Sequence, residues 1–140
     1  NDTDPTNDSQ LKGLYSEAGY NYTLAQNFPD ALRAYGLASE QDVNDTQIML
    51  QRAQLHLQYG QDLMSRAADL SAEDPERASE LEAEARQTLQ RGVDVGNALV
   101  ALAPNNADAF YFLANTQALL GDEAAYNENM KTYNELQGNQ

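Results

Sequence analysis

The sequence has no cysteine, no tryptophan and a single histidine, His56. Without cysteine the chain can form no disulfide, no thiolate nucleophile and no cysteine-bound zinc site. Cysteine usage therefore does not indicate whether the protein works in an oxidising or a reducing compartment. A single histidine excludes a two-histidine metal site and allows at most one Ser-His-Asp grouping. No apolar run approaches the roughly 18 residues that a membrane-spanning helix needs. These absences exclude cysteine chemistry and any metal site that needs two histidines.

Positive charge is scarce as well. The chain has 22 acidic residues against eight basic ones and a formal net charge of −14 at pH 7. A field of that sign repels phosphate backbones and anionic lipids, so we expect no nucleic-acid partner and no direct binding to anionic membranes. A solvated surface explains the excess of carboxylates as well as an acidic function would.

Val and Ile are few, Ala and Leu dominate the apolar residues, and no segment alternates with period two. This composition favours helices over strands, and apolar residues recur at three-and-four spacing along most of the chain. Helix-capping side chains precede these segments, and Gly121 is placed to end one of them. We therefore predict an all-α protein. Its helices are expected to begin after these caps: Asp8 or Ser9, Asn27, Asn44 or Asp45, Asp74, Asn105 or Asn106, and Asp122.

The opening "NDTDPTNDSQ" is polar, acidic and interrupted by proline. Such a composition predicts a flexible acidic leader over residues 1–9. Because the chain starts at an asparagine and a tether of this kind commonly follows a signal peptide or an anchor, the sequence favours an exported, periplasmic or membrane-tethered protein. A cytoplasmic location is the alternative.

The first two predicted helices carry an aromatic residue, a small residue and a tyrosine, followed by alanine and a second aromatic: Tyr15, Gly19, Tyr22, Ala31 and Tyr35. A second copy follows 34 residues later, because Gly19 aligns with Ala53 and Tyr22 with His56. A last copy carries Phe110, Leu113, Ala114, Gln117 and Gly121, then Tyr126 and Met130, with Pro104 just before it. This pattern resembles the tetratricopeptide repeat, a 34-residue helical hairpin.

The resemblance implies a short α-α superhelix of stacked hairpins, because one hairpin cannot bury its apolar face alone. The small residues (Gly19, Ala53, Ala114) are expected where the helices of one hairpin cross, and the aromatics (Tyr15, Phe110) between hairpins. The expected domain covers residues 10–140. Its repeats would be 12–45, a second starting at 46 with a 27-residue extension up to about 104, and 107–140.

The extension arises because Gly60 and Gly121 lie 61 residues apart. Gly60 is expected at the turn that ends the first helix of the second copy. The following residues form either a degenerate third repeat or a lengthened helix that makes an arm. A continuous apolar stripe, from Ala78 through Leu89 to Ala103, favours one long helix from about Pro75 to Ala103.

No catalytic arrangement is evident in the sequence. His56 occupies the slot where the family usually has tyrosine, which favours a packing role. Glu80 and Glu84 share a helix face while Glu82 points elsewhere, as on a solvated surface. No phosphate-binding or calcium-binding loop occurs. We therefore predict a protein that is not an enzyme and binds no cofactor or metal.

The resemblance also implies a concave groove lined by the first helix of each repeat. The groove positions transfer to this sequence as Ser16, Tyr20, Leu50, Gln54, Leu57, Gln58, Asp108, Tyr111, Asn115 and Leu119. The lining contains no Lys or Arg, which excludes the carboxylate clamp used by some family members. Its amides and tyrosines suit an extended peptide and apolar or Arg side chains.

Three functions are compatible with these features. The first is an adaptor or scaffold that binds a peptide or protein segment in the groove. The second is a structural subunit that self-associates through the long helix or the last repeat. The last helix carries a stripe that no further helix would cover: Tyr126, Met130, Tyr133 and Leu136. The third is a helical cup for a small solute, for which no residue selects a ligand.

Overall fold

The computed structural model describes residues 5–138, and within that range it contains helices and no strand. The predicted all-α class is confirmed. Six helices follow one another along the chain: α1 Pro5–Leu24, α2 Phe28–Gln41, α3 Thr46–Leu70, α4 Pro75–Leu102, α5 Ala107–Leu119 and α6 Glu123–Gly138.

Most helices begin where the capping side chains predicted. Asn27, Asp45, Asp74 and Asn106 each accept a hydrogen bond from a backbone amide in the first turn of the helix that follows. The structure thus selects Asp45 over Asn44 and Asn106 over Asn105. Gly121 takes a φ of +84°, a conformation that favours glycine, and Asp122 then accepts from the Ala125 amide as α6 begins.

The start of α1 differs from the prediction. Helix α1 begins at Pro5, so residues 5–9 of the expected flexible leader are helical and the caps at Asp8 and Ser9 are wrong. Proline is well tolerated in a first helical turn because its missing N–H has no partner to lose there. Residues 1–4 of the predicted leader lie outside the described residues.

The helices form three hairpins, α1 with α2, α3 with α4, and α5 with α6. Helix α2 packs on α3 and α4 packs on α5, so the hairpins stack in chain order in a tetratricopeptide-like arrangement. The predicted close crossing at Gly19 is confirmed, because a Cβ there would lie 2.8 Å from the Tyr35 ring of the opposing helix. No helix within residues 5–138 combines the length and apolarity needed to cross a bilayer.

The middle hairpin is much longer than its neighbours, with 25 residues in α3 and 28 in α4 against 14 in α2 and 13 in α5. The predicted long helix from Pro75 is therefore present. However, α3 continues through Gly60 to Leu70, so the expected helix end at Gly60 is wrong. Gly60 instead marks a close crossing, because a Cβ there would lie 2.5 Å from Leu89 Cδ2.

Residues 61–86 of the middle hairpin extend past both neighbouring hairpins, and we call this segment the arm. Helix α2 starts beside Tyr59, on which Phe28 stacks with ring centroids 5.6 Å apart. Helix α5 ends beside Arg86, whose guanidinium donates to the Leu120 carbonyl at 3.1 Å. The arm carries eight acidic and three basic residues. Its own small core is Leu63, Ala67, Leu81 and Ala85.

Candidate partner-binding surfaces

The ten residues predicted to line a groove divide into two groups of equal size. Five are exposed: Tyr20, Gln54, Gln58, Asp108 and Tyr111. Five are half-buried: Ser16, Leu50, Leu57, Asn115 and Leu119. All ten lie on α1, α3 or α5, the first helices of the three hairpins. We call the surface formed by these three helices the first-helix face.

Between α1 and α3 the first-helix face is open. A cleft of about 250 Å³ separates the two helices, and Ser16 lines it opposite Gln47 and Gln51. At its end, the Lys12 ammonium donates to a carboxylate oxygen of Asp45 at 3.0 Å and to one of Asp42 at 3.2 Å. This pair of contacts ties α1 to the loop that leads into α3.

Asp45 both caps α3 and accepts a hydrogen bond from Lys12 of α1. Burial raises the pKa of its carboxyl, but the hydrogen bonds from Lys12 and from the Ile48 and Gln47 amides outweigh burial and lower that pKa. The hydrogen bonds to Asp45 and Asp42 in turn raise the pKa of Lys12. The carboxylate thus caps α3 while it holds α1.

Between α3 and α5 the first-helix face is closed. Leu57 packs against a buried cluster that includes Phe112 and Leu113, and Leu50 packs against one that includes Leu99 and Ala109. These two leucines therefore form the floor between the hairpins. The more prominent side chains here are the exposed amides Gln54 and Gln58.

The last hairpin is the least buried of the three. Tyr111 is 47 % exposed, and its ring lies 5.0 Å from that of Tyr133 on α6 at an interplanar angle of 42°. Helix α6 has no buried residue among those described. The stripe predicted to be uncovered (Tyr126, Met130, Tyr133, Leu136) is half-buried, because α5 covers one side of it.

A second, larger hollow lies where the arm passes the end of α5. This hollow, the amide cleft, has a volume of about 800 Å³. Its lining consists of four carboxamides, two charged residues and three apolar ones: Gln87, Gln90, Asn97, Gln117, Arg86, Asp122, Ala83, Val93 and Leu120. The apolar stripe of α4 gives no sign of this cleft in the sequence, although Gln87, Gln90 and Asn97 recur on one helix face at intervals of three and seven residues.

On the other side of Arg86 lies a smaller and more apolar notch of about 170 Å³. Met64 and Ala68 of α3, Leu89 of α4 and Leu119 of α5 supply its apolar lining, and Glu82 and Arg86 lie at its edge. Among the predicted groove residues, Leu119 thus lines a pocket together with residues of the arm.

His56 lies inside the middle hairpin and is only 8 % exposed. Its Nδ1 atom has no hydrogen-bond partner, and its Cβ would contact a Cβ placed on Gly92 at 2.9 Å. Burial, together with the positive charges of Arg52 and Arg91, lowers the pKa of the imidazole to about 4. These surroundings suit the packing role that the sequence predicts and keep the ring neutral at pH 7.

The glutamates of α4 are solvent-exposed in the structure. Glu80, Glu82 and Glu84 all lie on the surface, and Glu84 accepts a hydrogen bond from the Tyr59 hydroxyl at 3.0 Å. Within residues 5–138, no group of three or more His, Cys, Asp or Glu side chains is arranged to hold a metal ion.

The stacked hairpins and their first-helix face define a tetratricopeptide-like helical repeat domain. No family model matches the chain, and no curated protein matches it either. Among solved structures the chain is similar to a crystal structure of MamA protein, with 18 % identity, a TM-score of 0.36, and coverage of 93 % of this chain and 75 % of that one. It is also similar to the MamA RS-1 ArsTM double mutant, with 16 % identity, a TM-score of 0.37, and coverage of 92 % and 76 %. A third is MamA MSR-1 C2, with 12 % identity, a TM-score of 0.37, and coverage of 91 % and 78 %.

Proposed function

We propose that this domain is a protein-interaction adaptor that binds a peptide or protein segment along its first-helix face. The observation that carries the proposal is the exposure of large or hydrogen-bonding side chains on that face. Tyr20 is 57 % exposed and Tyr111 is 47 % exposed, and Gln54 and Gln58 lie between them on α3. Stacked hairpins commonly use such an extended surface for binding.

The chemistry of the face suits a polypeptide. Carboxamides both donate and accept hydrogen bonds, so Gln54 and Gln58 can pair with the N–H and C=O groups of an extended backbone. The tyrosine rings offer broad apolar area with a polar tip, which suits an aliphatic or arginine side chain of the partner. The net charge of −14 adds a long-range preference for cationic segments.

The test is selection from a displayed random-peptide library, followed by calorimetric titration of the selected peptides. We expect Tyr20→Ala and Tyr111→Ala each to weaken binding by roughly tenfold, as removal of an aromatic contact does. The matched control is Leu14→Ala, which removes an exposed apolar residue from α1 about 120° around the helix from Tyr20. If both tyrosine variants bind as tightly as the parent, the first-helix face is not the binding surface.

A second candidate is self-association through α6, which is supported by the absence of buried residues in that helix. The half-buried stripe of Tyr126 and Met130 would then be covered by another copy of the chain. Light scattering over a wide concentration range tests this candidate, with Met130→Glu as the variant expected to remain monomeric. A parent protein that stays monomeric at the highest concentration would exclude it.

A further inference from the structure

The amide cleft lies along one face of α4, beside the second half of α5 and the turn into α6. Helix α5 ends at Leu119 while α4 continues as the arm, which leaves one face of α4 uncovered beside the turn into α6. The cleft has a volume of about 800 Å³ and is open to solvent. The cleft is lined by α4, the end of α5 and the turn that follows, so it is separate from the predicted groove residues.

The charged residues of the amide cleft are already engaged. Arg86 donates to the Leu120 carbonyl at 3.1 Å, and Asp122 accepts from the Ala125 amide at 3.1 Å. One positive and one negative side chain thus offset each other and serve the ends of α5 and α6. In a chain with a net charge of −14 this lining is locally neutral.

The carboxamides supply the remaining polar chemistry. Gln90 donates to Asp94 at 3.3 Å, and the Gln117 oxygen accepts from the Asn129 amide at 2.6 Å. Each of these contacts uses only one of the donor and acceptor groups that a carboxamide offers. Gln87 and Asn97 are exposed at the two ends of the row. The cleft therefore presents both donors and acceptors along its length.

We propose that the amide cleft binds an extended segment of a partner polypeptide through the backbone of that segment. An extended backbone alternates N–H and C=O groups, which matches a row of carboxamides and needs no charge. Gln87 and Asn97 are ten residues apart, or roughly 15 Å along α4, which corresponds to about four or five residues of an extended strand. No aromatic ring lies in the lining, so the stacking platform that single-stranded nucleic acids use is absent from it.

The experiment compares two pairs of glutamines that are both exposed and both helical. Peptides selected from a displayed random-peptide library on the parent domain are titrated against Gln87→Ala/Gln90→Ala in the amide cleft. They are also titrated against Gln54→Ala/Gln58→Ala on the first-helix face. Because glutamine and alanine are both good helix formers, neither pair should perturb folding, and circular dichroism melts verify this. For peptides held in the amide cleft we expect the first pair to lose roughly tenfold or more in affinity and the second pair to bind like the parent, whereas peptides held on the first-helix face should show the reverse.

The outcomes separate this inference from the proposed function. If every selected peptide loses affinity only in Gln54→Ala/Gln58→Ala, the amide cleft is overturned and the first-helix face is supported. Peptides that bind all variants equally overturn the amide cleft, and a library that yields no binder overturns both proposals. A salt series adds a second readout: binding to a neutral cleft should change little with NaCl, whereas steep weakening by salt would show that the acidic surface is the actual site.

Discussion

The two junctions between hairpins are built from different side chains. At the junction of α2 with α3, aromatic rings fill the space: Phe28 stacks on Tyr59, and Tyr35 packs with Leu55. At the junction of the middle and last hairpins, glycines of α4 let side chains of α5 pack directly against the α4 backbone. A Cβ on Gly92 would lie 3.2 Å from Phe112 Cζ, and one on Gly96 would lie 2.7 Å from Leu113 Cδ2.

This contrast shows that hairpins can stack in the same way through large aromatic side chains at one junction and through glycines at the other. Beside the aromatic junction, a cleft separates α1 from α3, and Lys12 spans it through its contacts with Asp42 and Asp45. Glycines let Phe112 seat directly on α4, which closes the first-helix face between α3 and α5. The glycine junction should therefore be the more sensitive to added volume, and the aromatic junction the more sensitive to charge and capping.

The largest expected effect is overpacking at Gly92, which lies against α3 of its own hairpin and against Phe112 of the last hairpin. Gly92→Val would place methyl groups against His56 Cβ, at 2.9 Å from even a bare Cβ, and against the Phe112 ring. Neither neighbour is the free end of a flexible chain, so we expect a loss of about 3 kcal/mol in the free energy of unfolding. Urea denaturation measures it.

The control for this change is Gly36→Ala in α2. No atom lies within 4 Å of a Cβ there, so the variant should be more stable than the parent by about 0.5–1 kcal/mol through helix propensity alone. Equal stability of Gly92→Val and the parent would mean that the close approach at Gly92 does not occur.

The next effect is the pH dependence that His56 gives to the same region. Its pKa is about 4 in the folded state against 6.5 unfolded, so between these values the unfolded chain binds more protons. Stability should therefore be unaffected by His56 above pH 6.5 and fall as pH is lowered towards 4. The full loss is about 3 kcal/mol, at about 1.4 kcal/mol for each unit of pKa difference.

Carboxylates titrate over the lower part of that range, so the comparison uses His56→Gln, which carries no titrating group at the site. The parent's unfolding free energy should drop relative to that of the variant as pH falls from 6.5 to 4. Parallel curves for the two proteins would contradict a buried, neutral imidazole at the middle hairpin.

The starts of α2, α4 and α5 were predictable from sequence because capping is local. Asn27, Asp74 and Asn106 each bond to an amide three residues ahead, and no other part of the fold is needed to place that bond. The 34-residue spacing likewise predicted the stacked hairpins, because residues 34 apart occupy equivalent packing positions in successive hairpins.

The features that depend on a neighbouring helix were not predictable in the same way. Gly60 looks like a helix end in sequence, but its role is set by Leu89 on the opposing helix. Whether Leu57 lines an open groove or its floor depends on how closely α5 approaches α3. The amide cleft depends on how α4, the end of α5 and the turn after it are placed relative to one another, which the pattern of a single helix does not show.

A smaller effect is expected at the aromatic junction, where Asp45 caps α3 and holds Lys12. Asp45→Ala should cost about 1 kcal/mol through loss of the cap to the Gln47 and Ile48 amides. Asn44→Ala, one residue earlier, is the matched control and should change stability little. If the two substitutions lower Tm equally in thermal melts, Asp45 is not the specific cap of α3, and Asn44 and Asp45 remain equal candidates.

The smallest expected effect is that of salt on Tm. Salt screens repulsion between carboxylates, which raises Tm, and it also screens attraction between paired charges, which lowers Tm. With 22 acidic residues against eight basic ones, repulsion dominates, so NaCl should raise Tm by a few degrees, about 1 kcal/mol or less. Salt also weakens the attraction of Lys12 for Asp42 and Asp45. Lys12→Met lacks that attraction and has one more net negative charge, so its Tm should start lower and rise more steeply with NaCl than that of the parent. A parent Tm that falls between low and moderate NaCl would show that paired charges such as these, and not the excess of carboxylates, control the response.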